Sequence, residues 1–198
     1  VVPFDEGDTV SVFVSAGAQA LNAAHGVQIN WGDGNTTTHA LTPGQSNQID
    51  HVYLDDQPGV QADFYVAKLK FLFSVPSFSG TNGDASVVFL VDNVRPTVDV
   101  QVQAPASGSE GLYTLVGSID DPGLLDTHSI TWTFSDGTVL TSAGLTVTHA
   151  FPGGGSATLT VEDDDGGIDF KTVQVIPGTA TGSVAVAPAA QPLAAGGL

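Results

Sequence analysis

The sequence predicts an all-β protein made of two tandem β-sandwiches and an extended C-terminal tail. Three observations carry this expectation. Short stretches of alternating polar and apolar residues recur along the chain, most of them separated by Gly, Asp, Asn or Pro, as expected of strands joined by turns. A motif built on an aromatic strand and an Asp-Gly turn appears twice, which points to duplication of one structural unit. Helix formers are scarce: Lys and Arg total 4 and Met is absent, while the abundant Val, Thr, Ser, Gly and Asp favour strands and turns. The 198 residues accommodate two sandwiches of roughly 100 residues each, each large enough for its own core.

Taken in order, the strand candidates are residues 9–14, 65–73, 86–91, 97–102, 112–116, 130–134, 145–148, 157–161 and 170–176. The first has period two. The second alternates in part, with Lys68 and Lys70 on one face. Residues 16–24 tolerate a helix, but their glycines and missing caps make them a loop. The repeat reads Ile29-Asn30-Trp31-Gly32-Asp33-Gly34 and then His51-Val52-Tyr53 in the first copy. In the second it reads Ile130-Thr131-Trp132-Thr133-Phe134-Ser135-Asp136-Gly137 and then His149-Ala150-Phe151.

Charge excludes several function classes. The net charge is −17, with Lys68, Lys70, Arg95 and Lys171 as the only Lys or Arg residues. Nucleic-acid backbones and anionic membranes both need a basic surface, so neither is an expected partner. The charge suits metal cations, and equally it suits solubility or a salty habitat. There is no Cys, hence no disulfide or thiol chemistry. No apolar run approaches the length of a membrane span, so no membrane insertion is expected. The start at Val1 without Met fits a processed or excised segment.

The aromatic strand with its Asp-Gly turn, the later His-x-(Tyr/Phe), and the Pro-Gly that follows resemble polycystic-kidney-disease (PKD) type repeats. So does the segment Gly117-Ser118-Ile119-Asp120-Asp121-Pro122-Gly123 with Asp126-Thr127-His128, in the version found in large bacterial and archaeal cell-surface proteins. Glu6-Gly7-Asp8-Thr9-Val10 resembles the start of the family's first strand. The resemblance spans residues 4–176 and is closer in the second copy; in the first, residues 59–92 replace the compact ending. Asp92-Asn93-Val94-Arg95-Pro96 resembles the linker between such repeats, and Pro96 favours an extended link. The resemblance implies two immunoglobulin-like sandwiches, residues 1–93 and 94–177; residues 178–198, rich in Ala, Gly and Pro, read by composition as a linker or an intersubunit strand. The resemblance also implies a secreted or cell-surface location.

Carboxylates cluster in the second copy. Asp120, Asp121 and Asp126 precede its third strand, and Asp163, Asp164 and Asp165 precede its last. In an immunoglobulin-like sandwich those two loops share one end, where the linker residues Asp92 and Asn93 also enter. A hard, oxygen-seeking ion such as Ca²⁺ suits acidic loops of this kind. The expected ligands are Asp92, Asn93, Asp120, Asp121, Asp126, Asp163 and Asp165, and the bound ion is expected to stiffen the link between sandwiches. The competing reading is that Asp-Pro-Gly and Asp-Asp-Gly-Gly are turns. In the first copy the matching loops, residues 16–25 and 76–85, offer only Asp84, so no metal is expected there.

The remaining candidates have structural readings. Trp31 and Trp132 fit either a carbohydrate platform or, more commonly for this strand, a core plug. His51 and His149 occupy equivalent positions, which favours a structural hydrogen bond; no His pair has zinc-helix spacing. Asn35-Thr36-Thr37 fits a glycan acceptor. No nucleophile elbow or phosphate loop appears, and no catalytic residue is nominated. The expected function is a non-catalytic structural or adhesive module of an exported surface protein, in one form a filament subunit assembled by strand exchange through residues 181–187. The expected partners are other copies or domains of that protein, with glycans and cell-surface proteins as further candidates. The alternative is a carbohydrate- or protein-binding accessory module of a secreted hydrolase, using aromatics among Tyr65, Phe71, Phe73, Phe78 and Phe89, although alternation places most of these in the core.

Overall fold

The computed structural model describes residues 3–15, 25–42, 44–57, 59–73, 85–105, 111–141 and 143–177. The loops at 16–24 and 74–84 and the tail strand expected at 181–187 lie outside them. Every regular element of the described residues is a strand. The first copy contains β1 (Phe4–Asp5), β2 (Thr9–Ser15), β3 (His25–Asn30), β4 (Thr36–Leu41), β5 (Ser46–Val52), β6 (Ala62–Phe73) and β7 (Ala85–Asp92). The second contains β8 (Thr97–Gln103), β9 (Leu112–Asp120), β10 (Ser129–Phe134), β11 (Val139–Thr141), β12 (Thr146–Ala150), β13 (Gly155–Glu162) and β14 (Ile168–Val175).

The chain forms two compact units. The first comprises the described residues of Val1–Thr97 together with Ile119–Ser129 and Val161–Asp169. The second comprises those of Val98–Ser118, Ile130–Thr160 and Phe170 onwards. Both copies follow one plan. In the first, a sheet ordered β1-β7-β6-β3-β4 faces the pair β2-β5; in the second, a sheet ordered β11-β10-β13-β14 accompanies one ordered β12-β9-β8. This is the two-sheet distribution of an immunoglobulin-like sandwich. β1 runs parallel to β7, with Phe4 opposite Val91 and Asp5 opposite Asp92. That pairing delivers the next residue, Glu6, to the end of β7.

Alternation sets which side chains go inward. In β2 the sequence Thr-Val-Ser-Val-Phe-Val-Ser buries Val10, Val12 and Val14 and leaves Phe13 exposed. They pack with Ile29, Leu69 and Val91 from the facing sheet. In β8, Val98 and Val100 are buried by the same period. Trp31 and Trp132 are both fully buried, as core plugs. Trp31 Nε1–H donates to Thr37 Oγ1 at 2.9 Å and Trp132 Nε1–H to the Gly144 carbonyl at 3.1 Å, so neither indole leaves its donor unmet.

The repeated motif has a physical reason. Asp33 Oδ1 accepts from Asn35 N–H and Asp136 Oδ1 from Thr138 N–H, both at 2.9 Å. These side chains close the turn around Gly34 and Gly137, which sit at φ 91° where glycine is favoured. The other carboxylate oxygen meets the histidine of the later strand: His51 Nε2–Asp33 Oδ2 at 2.8 Å and His149 Nε2–Asp136 Oδ2 at 2.9 Å. Each imidazole lies flat on an aromatic ring, His51 on Trp31 at 4.4 Å and His149 on Phe134 at 3.8 Å. Counted from the turn, Trp31 therefore corresponds to Phe134 and Trp132 stands one inward position earlier. Tyr53 O–H donates to the Trp31 carbonyl at 2.9 Å inside the core, which ties the motif's two halves together.

Candidate cation-binding site

All the carboxylates discussed next lie in the first compact unit. Glu6 follows β1 and is held by its backbone: its N–H donates to the Asp92 carbonyl at 3.0 Å, and the Gly7 N–H to the Tyr53 carbonyl at 2.8 Å. Its side chain is 1% exposed. Oε1 accepts from Val94 N–H at 2.7 Å, and Oε2 is buried without a partner. Asp55 and Asp56 follow the His51-Val52-Tyr53 motif. Asp55 Oδ1 accepts from Gln57 N–H at 2.9 Å, in a tight bend that puts Gln57 at φ 88°. Asp56 is 0% exposed, and neither of its oxygens has a hydrogen-bond partner.

The loop joining β9 to β10 adds Asp121 and Asp126. Asp121 Oδ1 accepts from Gly123 N–H at 3.1 Å and Oδ2 meets His128 Nε2 at 2.7 Å. Both oxygens of Asp126 are buried and unpartnered. Gly123 leaves the room this carboxylate needs, since a Cβ there would fall 2.4 Å from Asp126 Oδ2. The loop is pinned by Leu125 N–H to the Leu54 carbonyl at 3.3 Å. The loop joining β13 to β14 adds Asp165, whose Oδ1 accepts from Gly59 N–H at 2.5 Å and Val60 N–H at 3.0 Å while Oδ2 is buried and unpartnered.

These residues form three groups whose oxygens lie within 4.8 Å of one another: Glu6, Asp55 and Asp56; Glu6, Asp121 and Asp126; Asp55, Asp126 and Asp165. At that spacing two ionised carboxylates repel by roughly 3 kcal/mol even at an effective dielectric constant near 20. Among the described residues no lysine or arginine pairs with any of the six, and Arg95 is exposed. Protons answer the conflict in part. Burial, then the charges of Asp126, Asp56 and Asp121, raise the Glu6 carboxyl to about 8 against the opposing hydrogen bond from Val94. Burial first and Asp165 next raise Asp56 to about 7, and burial with Asp121 and Asp55 raises Asp126 to about 7. Burial also raises Asp55.

The sequence-predicted ligands divide. Asp121, Asp126 and Asp165 enter the oxygen groups. Asp163 is buried, but Oδ1 accepts from Asp165 N–H at 3.0 Å and Gly167 N–H at 2.7 Å, and Oδ2 from Asn93 Nδ2–H at 3.2 Å. It shapes its own turn and also orients Asn93. Asp120 is exposed at the end of β9, and Asp92 contributes its backbone carbonyl to Glu6. Asp164 Oδ1 accepts from Thr127 N–H at 2.8 Å and joins the two loops. Three group members come from the first copy, where no metal ligand was expected: Glu6, Asp55 and Asp56. They arrive from the ends of β1 and β5, and not from the loops at 16–25 and 76–85. The adjacent acids Asp55-Asp56, two residues after a core-anchoring Tyr53, were the available signal. Of the aromatics weighed as a binding platform, Tyr65 and Phe89 are buried and Phe71 packs partly buried on the core. Phe78 and the Phe73 side chain lie outside the described residues.

Residues 93–176 match the family model of the PKD domain, which is the span of the second copy. No curated protein matches the chain in sequence. Among solved structures the chain is similar to the amphioxus IgVJ-C2 molecule at 15% identity, with 88% of this chain and 99% of that chain covered and a TM-score of 0.45. It is also similar to domains 3 and 4 of rat CD4 at 12% identity, with 88% and 98% covered and a TM-score of 0.26. PKD domains are typically non-catalytic extracellular modules. No helix of the described residues is long and apolar enough to cross a membrane.

Proposed function

We propose that the chain is a structural or adhesive module of an exported cell-surface protein, stabilised by calcium held among Glu6, Asp55, Asp56, Asp121, Asp126 and Asp165. One observation carries the calcium reading: Glu6, Asp56 and Asp165 are almost wholly buried, and each has a carboxylate oxygen that no donor meets. A buried carboxylate left unpaired is costly. The groups contain only oxygen donors on loops, and Ca²⁺ takes six to eight oxygens in adaptable geometry, whereas Mg²⁺ demands a near-ideal octahedron. Bound calcium fixes the loops at 119–129 and 161–169 onto residues 6 and 54–60 of the same unit and so stiffens it, as a load-bearing or adhesive module requires.

The test is thermal unfolding of the full chain in EDTA, in millimolar CaCl₂ and in millimolar MgCl₂. Ligand that binds only the folded state raises the midpoint in proportion to RT ln(1 + [L]/Kd). The expected result is a midpoint several degrees higher in calcium than in EDTA, with a smaller effect of magnesium. Identical midpoints in EDTA and calcium would remove the calcium reading.

A second reading, a protein-binding module, is favoured by a different observation. On the outer face of β6 and β7, Phe64 lies opposite Leu90 and Val66 opposite Val88, and Phe64, Val66 and Val88 are exposed. A run of exposed apolar side chains is a common feature of contact surfaces. Sedimentation of the chain and of a Phe64→Ser variant over a concentration series tests self-contact through this face; an unchanged monomer in both removes that form of it.

A further inference from the structure

The six carboxylates do not collapse into one set of mutually close oxygens. Among the described residues they form three sets of three, and each set shares one member with each other set: Glu6, Asp55 and Asp126 are the shared corners. Calcium binds oxygen at about 2.3–2.6 Å, so the ligands of one ion lie within about 5 Å of each other. Each set satisfies that limit by itself, within 4.8 Å, and the six together do not. One ion therefore leaves part of this buried acid unmet. The oxygen inventory agrees. Asp56 offers two unpartnered oxygens to the first set alone, and Asp126 offers two unpartnered oxygens to the other two sets. Asp56 is 0% exposed and no donor meets either of its oxygens, which makes it an unpartnered buried side chain aimed into the cluster.

We infer that the centre binds two calcium ions, one held by Glu6, Asp55 and Asp56 and the other by Asp55, Asp126 and Asp165, with Asp55 bridging them; these two sets cover every unpartnered carboxylate oxygen of the six, whereas both oxygens of Asp121 already meet partners, Gly123 N–H and His128. This rests on the calcium reading proposed above and adds its stoichiometry. Asp55 belongs to both of these sets, and a carboxylate has an oxygen for each of two ions. The two ions offset four of the six negative charges. His128 on Asp121 Oδ2 is placed to offset another when protonated.

The experiment is a count of bound calcium. The full chain is dialysed to equilibrium against ⁴⁵Ca²⁺ at pH 8, and the same is done for Asp56→Asn and Asp126→Asn. The expected result is two ions per chain for the parent and one for each variant. One ion per chain in the parent overturns the two-ion inference and leaves the calcium reading standing; none overturns both. Three or more overturns the assignment, as does retention of both ions in both variants. If either variant fails to fold by circular dichroism, the parent count still decides between one ion and two.

Discussion

Replacing Asp56 by Asn gives opposite results with and without calcium, and the sign separates a ligand from an ordinary buried acid. Asp56 is fully buried, and neither oxygen has a donor. Burial, Asp165 and Asp55 raise its carboxyl from an ordinary 3.8 to about 7. At about 1.4 kcal/mol per pH unit, keeping it ionised at pH 8 costs up to about 4 kcal/mol in the metal-free protein. Loop relaxation and water entry reduce this to on the order of 2 kcal/mol. An amide carries no charge and has an N–H to donate to Asp165. Asp56→Asn is therefore expected to raise the unfolding midpoint in EDTA at pH 8 by roughly 4–8 °C for a chain of this length. In millimolar calcium the same variant loses a ligand, so its calcium-induced gain shrinks and the midpoint falls below the parent's. Differential scanning calorimetry in the two buffers reads both signs. A variant less stable than the parent in EDTA would refute the claim that this carboxylate is an unpaired burden without the ion.

Three further outcomes are expected. In EDTA, Glu6, Asp56 and Asp126 have folded values above their unfolded ones. Their contribution is thus fully present below about pH 4 and is lost as pH rises through 7 to 8, so the midpoint should decline between pH 5 and 8.5 in chelator and not in calcium; parallel profiles would contradict this. Tyr53→Phe removes the donor to the buried Trp31 carbonyl and should cost about 1–2 kcal/mol, seen as a lower urea midpoint with unchanged slope; an unchanged midpoint would deny that bond a role. Gly32→Ala places a Cβ 3.1 Å from both the amide nitrogen and carbonyl oxygen of Val66, at φ 94°. It should cost about 2 kcal/mol or more, and full retention of stability would show that the turn can move.

The sandwich plan was legible because period-two alternation is local: Val10, Val12 and Val14 announce their face without reference to any other strand. The Asp-Gly turns and their histidines were legible because the motif occurs twice. Part of the acidic site was legible by topology, since the β9–β10 and β13–β14 loops of one sandwich meet at one end, and Asp126 of the first loop shares an oxygen group with Asp165 of the second. Other parts were hidden for physical reasons. Asp163 sits in the same acidic run as Asp165, yet three N–H groups take up its oxygens; sequence does not reveal which acid of a turn faces its own backbone. Glu6 read as the start of a strand, and its burial depends on the parallel pairing of β1 with β7. Asp55 and Asp56 belong to an irregular bend with Gln57 at positive φ, and no periodicity predicts where such a bend points.

The acids of this centre come from four well-separated stretches, beginning at Glu6 and ending at Asp165. A chain synthesised from its N-terminus holds the first half of the ligands long before the second half exists. The clasp cannot shut until nearly all of the described polypeptide has emerged and folded. On the calcium reading proposed above, it would then close at low cost only where free calcium is plentiful. On that reading, completion of the molecule and arrival in a calcium-rich setting would both be preconditions for its stiffest form, and a chain lacking either would stay slack and open to proteolysis.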